Sequence, residues 1–121
     1  MPKKVLIVDD SQAESLLMQA FLQVAGYTAV ALSDPTRIEQ MVESEHPNLI
    51  LLDVVMPGRN GFQACRELKN NGEFKQIPIV MVTSKGGESD RFWAMQQGAD
   101  GYVVKPFTSE QLIGEVQRVI G

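Results

Sequence analysis

Residues 48–61 read NLILLDVVMPGRNG, and seven of the eight positions from Leu49 to Met56 are apolar, the exception being Asp53. A run of Leu, Ile and Val this dense, closed by Pro57 and Gly58, is the pattern of a central strand in a parallel sheet covered by helices on both faces. The carboxylate then stands at the strand's C-terminal end. Open α/β sheets bind ligands in the crevice outside the carboxyl ends of their strands. Position alone therefore makes Asp53 a site candidate, against the plainer reading of a turn-initiating Asp.

Upstream, residues 4–8 form a short apolar run ending in Asp9 and Asp10, which reads as a buried strand followed by a loop. Ser11, with Glu14 three residues on, offers a capping box for a helix running to about residue 25, stopped by Gly26. Residues 27–32 make a second strand, and Asp34-Pro35 opens a second helix that ends near Glu45. His46 precedes Pro47 in a polar connection and, with no second His in the chain, reads as a solvated loop residue rather than a metal ligand. Downstream, Asn60 and Gln63 start a third helix through about residue 71, and residues 77–82 are a fourth strand with Pro78 near its beginning. Thr83, Ser84 and Lys85 stand at that strand's C-terminal end. A helix over about 89–97 follows, then a fifth strand over 101–104 ended by Lys105-Pro106. Thr108 and Gln111 cap a last helix to about residue 120.

Strand and helix thus alternate five times, which predicts a flavodoxin-like (βα)5 doubly wound parallel sheet of order 2-1-3-4-5, one domain over residues 1–121. In that order strands one and three are neighbours at the switch point. Asp9, Asp10 and Asp53 then come off adjacent strand ends, and Thr83 and Lys105 come off the next two strands along the same edge.

Composition narrows the function classes. The chain is 44% hydrophobic and 21% charged, ordinary for a globular domain, and no apolar run approaches a membrane span. The stretch MPKKVLIV is too short in its apolar part to be a signal peptide, so a cytoplasmic location is expected. A net charge of −4 argues against direct binding to nucleic acid, which needs a basic face. The single cysteine, Cys65, falls at helical spacing from Phe62 and Leu68 and reads as core packing.

Three carboxylates brought together repel one another unless a cation sits between them. A hard divalent ion, Mg²⁺ or Mn²⁺, takes oxygen ligands and typically combines one or two carboxylates with a phosphate oxygen. The site thus expects a phosphoryl group, for which Thr83 supplies a hydroxyl donor and Lys105 a positive charge. Asp53, the central carboxylate, is the candidate nucleophile, since aspartyl phosphates form by carboxylate attack on a phosphoryl donor. Singly, each residue has a plain explanation: Asp10 as a helix cap, Thr83 as a strand residue, Lys105 as a surface charge.

The stretches VLIVDDS, LILLDVVMPGRNG, IPIVMVTSK and GADGYVVKPF resemble the signature blocks of CheY-like response-regulator receiver domains, and the likeness covers the whole chain. Within that family, DVVMPGRNGFQACREL and ESDRFWAMQQGA are most similar to PilH-like regulators of pilus-based twitching motility or phototaxis. The resemblance implies Asp53 as phosphoacceptor. It implies Asp9 and Asp10 as Mg²⁺ ligands together with the backbone carbonyl of Val55, and Thr83 with Lys105 as sensors of the phosphoryl group. It further implies Tyr102 as an aromatic switch residue that moves with Thr83, and a cis peptide between Lys105 and Pro106. Val55, the second residue after the acceptor, and Lys85, the second after Thr83, flank the water's route to the acyl phosphate and are expected to tune its lifetime.

The resulting expectation is a phosphorylation switch in a two-component phosphorelay rather than a turnover enzyme, catalysing only its own phosphorylation and dephosphorylation. Its partners would be a sensor histidine kinase or phosphotransfer domain and a downstream protein target. A haloacid-dehalogenase-type phosphatase would need a second Asp two residues after the nucleophile, where Val55 stands. A flavodoxin-like flavin carrier would need a donor-rich first loop, where Asp9-Asp10 instead repels phosphate. With no DNA-binding region attached, output would pass by protein contact, phosphate relay or a phosphate sink. Phe92, Trp93 and Met95 cannot all face the core of one short helix, so part of that cluster, beside Tyr102, is the expected partner face.

Overall fold

The computed structural model describes residues 2–121. Five strands, β1 (Lys4–Val8), β2 (Thr28–Leu32), β3 (Leu49–Leu52), β4 (Ile79–Thr83) and β5 (Gly101–Val104), form one sheet in the order β2-β1-β3-β4-β5, with every pair parallel. The expected strand order is therefore the observed one. The helices are α1 (Gln12–Val24), α2 (Ile38–Glu45), α3 (Gly61–Lys69), α4 (Glu88–Gln96) and α5 (Ser109–Ile120).

Side chains alternate across a strand, and the chain uses that alternation to feed two separate cores. Val5, Ile7, Leu49, Leu51, Val80 and Val82 pack against Met18 and Leu22 of α1 and Leu112 and Val116 of α5. Their neighbours Leu6, Val8, Ile50, Leu52, Ile79 and Met81 pack on the other face against Ile38 and Val42 of α2, Ala64, Cys65 and Leu68 of α3, and Ala94 of α4. This explains why β3 is unbroken Leu and Ile: every position is covered.

Several local expectations shift. Asp34 caps as read, its side chain accepting from Thr36 N, but Pro35–Arg37 is a turn of 3₁₀ helix and α2 begins only at Ile38. Pro78 lies just before β4 rather than inside it, and its carbonyl accepts from Ile50 N at 3.0 Å. The Thr108/Gln111 capping box forms reciprocally. The one at Ser11 forms by half: Ser11 Oγ accepts from Glu14 N, while Ser11 N is already held by Asp9 Oδ1 at 2.9 Å, which leaves the Glu14 carboxylate free to go elsewhere.

Candidate functional site

Asp9 and Asp53 each stand one residue past a central strand and are fixed there by the backbone. Asp9 N donates to Leu32 O at 3.1 Å and Asp53 N to Val8 O at 3.0 Å, so the ladders of β1 and β3 run to the edge of the site. Carboxylate oxygens of Asp9, Asp10 and Asp53 lie within 4.8 Å of one another. Asp9 and Asp53 are buried, Asp10 exposed. Burial pushes the Asp53 carboxyl above its usual range and the Asp9 charge adds to this, while Lys105 and a hydrogen bond from Val55 N at 3.4 Å pull the other way. An all-oxygen set of this span, open to solvent at Asp10, fits a hard divalent cation that keeps part of its water.

Lys105 projects from the end of β5 into the same crevice. Its ammonium donates to Asp9 Oδ2 at 2.8 Å, to Glu14 Oε2, and more distantly to Asp53 Oδ2 at 3.4 Å. Burial disfavours the charge, but the hydrogen bonds to Asp9 and Glu14 and the Asp53 charge outweigh it and hold the pKa above the ordinary lysine value. The Lys105–Pro106 peptide is cis.

Thr83, fully buried at the end of β4, accepts from Lys85 N at 3.3 Å through its hydroxyl. The carbonyl of the same Lys85 accepts from the Tyr102 hydroxyl. The backbone of Lys85 thus joins Thr83 to Tyr102, and the side chain of Lys85 is left exposed. Arg91 of α4 lies over the Tyr102 ring, 5.1 Å from its centroid, and only 5% of Tyr102 is exposed. Tyr102 therefore contributes almost no surface to the partner face expected around it. Phe92, Trp93 and Met95 are all exposed, at 63%, 50% and 42%: the short helix buries only Ala94 among its four consecutive residues from 92.

Two further residues hold the loop between β3 and α3. Gly61 N donates to Val54 O at 2.8 Å, and a Cβ at Gly61 would lie 2.1 Å from the Asp53 carbonyl oxygen, so only glycine allows α3 to start this close to Asp53. Arg59 grips Glu39 with two parallel bonds (2.9 and 2.7 Å), Glu67 at 3.0 Å and the Pro35 carbonyl at 3.0 Å, joining the loop to α2 and α3. Val55 is 56% exposed and, with Glu14, Asp53, Ser84, Lys105 and Pro106, lines the cleft over the acids. The spacing of Glu14 from Ser11 suits a capping box, and this masks it as a site residue in the sequence. The signal available was an acid one turn into the helix that directly follows Asp9-Asp10.

A parallel five-stranded sheet with an acid cluster at its switch point and a threonine and a lysine on the next two strand ends defines a class. The description "response regulator receiver domain" matches residues 5–117, and the chain belongs to that family. It is 37% identical to protein PilH of Pseudomonas aeruginosa over 97% of each chain. Among solved structures it is similar to the chemotaxis protein CheY4 of Vibrio cholerae, with a TM-score of 0.92 and 31% identity over 99% of this chain and 100% of that one. It is likewise similar to the BeF3-activated receiver domain of RstA from Klebsiella pneumoniae, with a TM-score of 0.90 and 27% identity over 97% of each. Receiver domains bind Mg²⁺ at an acidic pocket and act as signalling switches between histidine kinases and downstream targets. Among the described residues no helix is long and apolar enough to cross a membrane.

Proposed function

We propose that Asp53 accepts a phosphoryl group from a sensor histidine kinase, or from its phosphotransfer domain, and that the phosphorylated form presents an altered face to a protein target. One observation carries this reading: the Asp53 carboxylate lies within 4.8 Å of those of Asp9 and Asp10 and 3.4 Å from the Lys105 ammonium, with the buried Thr83 ending the next strand. The Asp53 oxygen attacks phosphorus, the bond from phosphorus to the donor breaks, and the leaving group departs with the electron pair. Asp9, Asp10, Asp53 and the Val55 carbonyl would hold a divalent cation, which would supply positive charge to offset that on the transferring oxygens. Lys105 meets the phosphoryl oxygens from one side. The Thr83 hydroxyl turns to them from the other and gives up its bond from Lys85 N, which loosens the Lys85 carbonyl that holds Tyr102.

The likeness to PilH supports a place in pilus-based motility or taxis signalling, with the exposed Phe92, Trp93 and Met95 as the partner-facing group. The protein works in the cytoplasm, where its kinase delivers the phosphoryl group. Acetyl phosphate with Mg²⁺ should add one phosphoryl group by intact mass, and neither Asp53→Asn nor the parent in excess chelator should gain it. Label on Asp53→Asn sinks the assignment. Incubation with candidate kinases and labelled ATP then identifies the donor.

A further inference from the structure

The crevice holds a fourth carboxylate that the metal site does not need. Glu14, in the first turn of α1, accepts a hydrogen bond from the Lys105 ammonium and lies outside the group of acids close enough to share one cation. Its freedom to do so follows from its surroundings. In a complete capping box it would fold back to Ser11 N, but Asp9 Oδ1 already occupies that donor at 2.9 Å.

We propose that Glu14 is a positioning residue for phosphotransfer. It holds Lys105 on the α1 side of the crevice in the unphosphorylated protein, so that an incoming phosphoryl group must compete with a carboxylate for the ammonium, and it slows loading of Asp53 by anionic donors. This rests on the reading that Asp53 is the acceptor. An ammonium has three protons to donate. The closer contacts of Lys105 go to Asp9 and Glu14, and Asp53 receives the longest, at 3.4 Å. The Lys105 side chain is only 11% exposed, so water is a poor substitute partner, whereas Glu14 is 45% exposed and can swing out to solvent once displaced. Glu14 therefore restrains the lysine at rest and is the contact most readily given up.

Charge works in the same direction. Asp9, Glu14 and Asp53 face one lysine, with the Asp10 carboxylate beside those of Asp9 and Asp53, and Glu14 stands on the wall of the cleft that Asp53 also lines, with Val55 and Ser84. A donor entering there meets the Glu14 charge before it meets the acceptor. With acetyl phosphate the Asp53 oxygen–phosphorus bond forms, the phosphorus–oxygen bond to acetate breaks, and acetate leaves with the electron pair, so total charge is conserved. The barrier Glu14 adds is one of approach and of freeing Lys105, not of chemistry at phosphorus.

The test follows loading by intact mass in the full chain at saturating Mg²⁺, comparing the parent, Glu14→Gln and Glu14→Lys, with dianionic acetyl phosphate and monoanionic phosphoramidate at low and high salt. Removing one charge at this range should raise the acetyl phosphate rate on the order of fivefold at low salt, with Glu14→Lys faster still. The gain should be smaller for phosphoramidate and should shrink at high salt. A flat or reversed order across the three side chains overturns the proposal. A gain equal for both donors and indifferent to salt also overturns it, because packing rather than charge would then be the cause. A parent that takes up no phosphoryl group, or takes it up in Asp53→Asn, marks the failure of the acceptor assignment instead.

Discussion

Arg59 and Glu39 form a two-pronged ion pair, Nη1 to Oε1 at 2.9 Å and Nη2 to Oε2 at 2.7 Å, that ties the loop after Asp53 to α2. Arg59 is 90% covered, so removing its side chain strips the loop of packing as well as charge. Arg59→Ala should lose about 1 kcal/mol in urea unfolding and load Asp53 more slowly, because the Val55 carbonyl sits in the same loop. The hydrogen bond from Arg59 holds the Glu39 carboxyl below its ordinary 4.5, against the effect of burial. A depressed carboxyl contributes stability above its unfolded value and loses it as pH falls through the folded one. The gap between parent and Arg59→Ala should accordingly narrow as pH drops below 4.5, and a pH-independent gap would show that packing alone supplies it.

Gly61→Ala tests how closely α3 approaches the site. The added methyl would sit 2.1 Å from the Asp53 carbonyl oxygen and 2.8 Å from Val54 Cα, both backbone atoms that cannot turn aside. Unfolding free energy should fall by about 2 kcal/mol, with loading of the proposed acceptor Asp53 reduced as well, since the strain is delivered to its own peptide. Stability and loading both equal to those of the parent would refute the contact.

Cys65 is fully buried, and burial pushes its thiol from 9.0 up to about 11. The folded state therefore keeps a proton that the unfolded chain releases first. The associated stability is intact below pH 9.0 and is lost as pH rises towards 11, by roughly 2–3 kcal/mol in all. Cys65→Ala should show a shallower alkaline decline than the parent, and a thiol reagent should label the parent only on unfolding.

Trp93 lies half exposed on α4, and residue 54, beside the proposed acceptor Asp53, is a valine. Its emission should respond weakly to Mg²⁺ and more strongly to phosphorylation, because Arg91 of the same helix covers Tyr102, whose hydroxyl rests on Lys85. A large change on Mg²⁺ alone would contradict this.

The phosphorylated form should be long-lived. Hydrolysis needs a water placed in line with the breaking bond, and Val55, exposed at the mouth of the cleft, can neither donate to nor accept from it. Val55→Asn should shorten the lifetime about five- to thirtyfold, the worth of one water-orienting contact. Lys85→Glu should shorten it too, by replacing the exposed cation two residues past Thr83 with an anion. Decay no faster than the parent in either variant, followed with purified phosphoprotein, removes both side chains from the account.

Local sequence pattern suffices for the sheet and the acids. The density of Leu49–Leu52 marks a strand buried on both faces, and the repeated step from apolar run to helix dictates parallel pairing. Once strands β1 and β3 are neighbours, Asp9, Asp10 and Asp53 must meet, because each follows an apolar run whose end the backbone fixes. Periodicity is a local property, so it could be read locally. What Lys105 holds, and which side chain covers Tyr102, depend on packing between elements far apart in the chain. The Glu14–Lys105 contact spans 91 residues, and the Arg59–Glu39 pair spans 20. Such pairs arise where long, flexible side chains from separate elements converge, and local spacing does not name the partner. Tyr102 shows the same limit: strand alternation assigns it to a face, but the Arg91 guanidinium over its ring comes from a helix whose neighbouring positions, Phe92 and Trp93, turn outward.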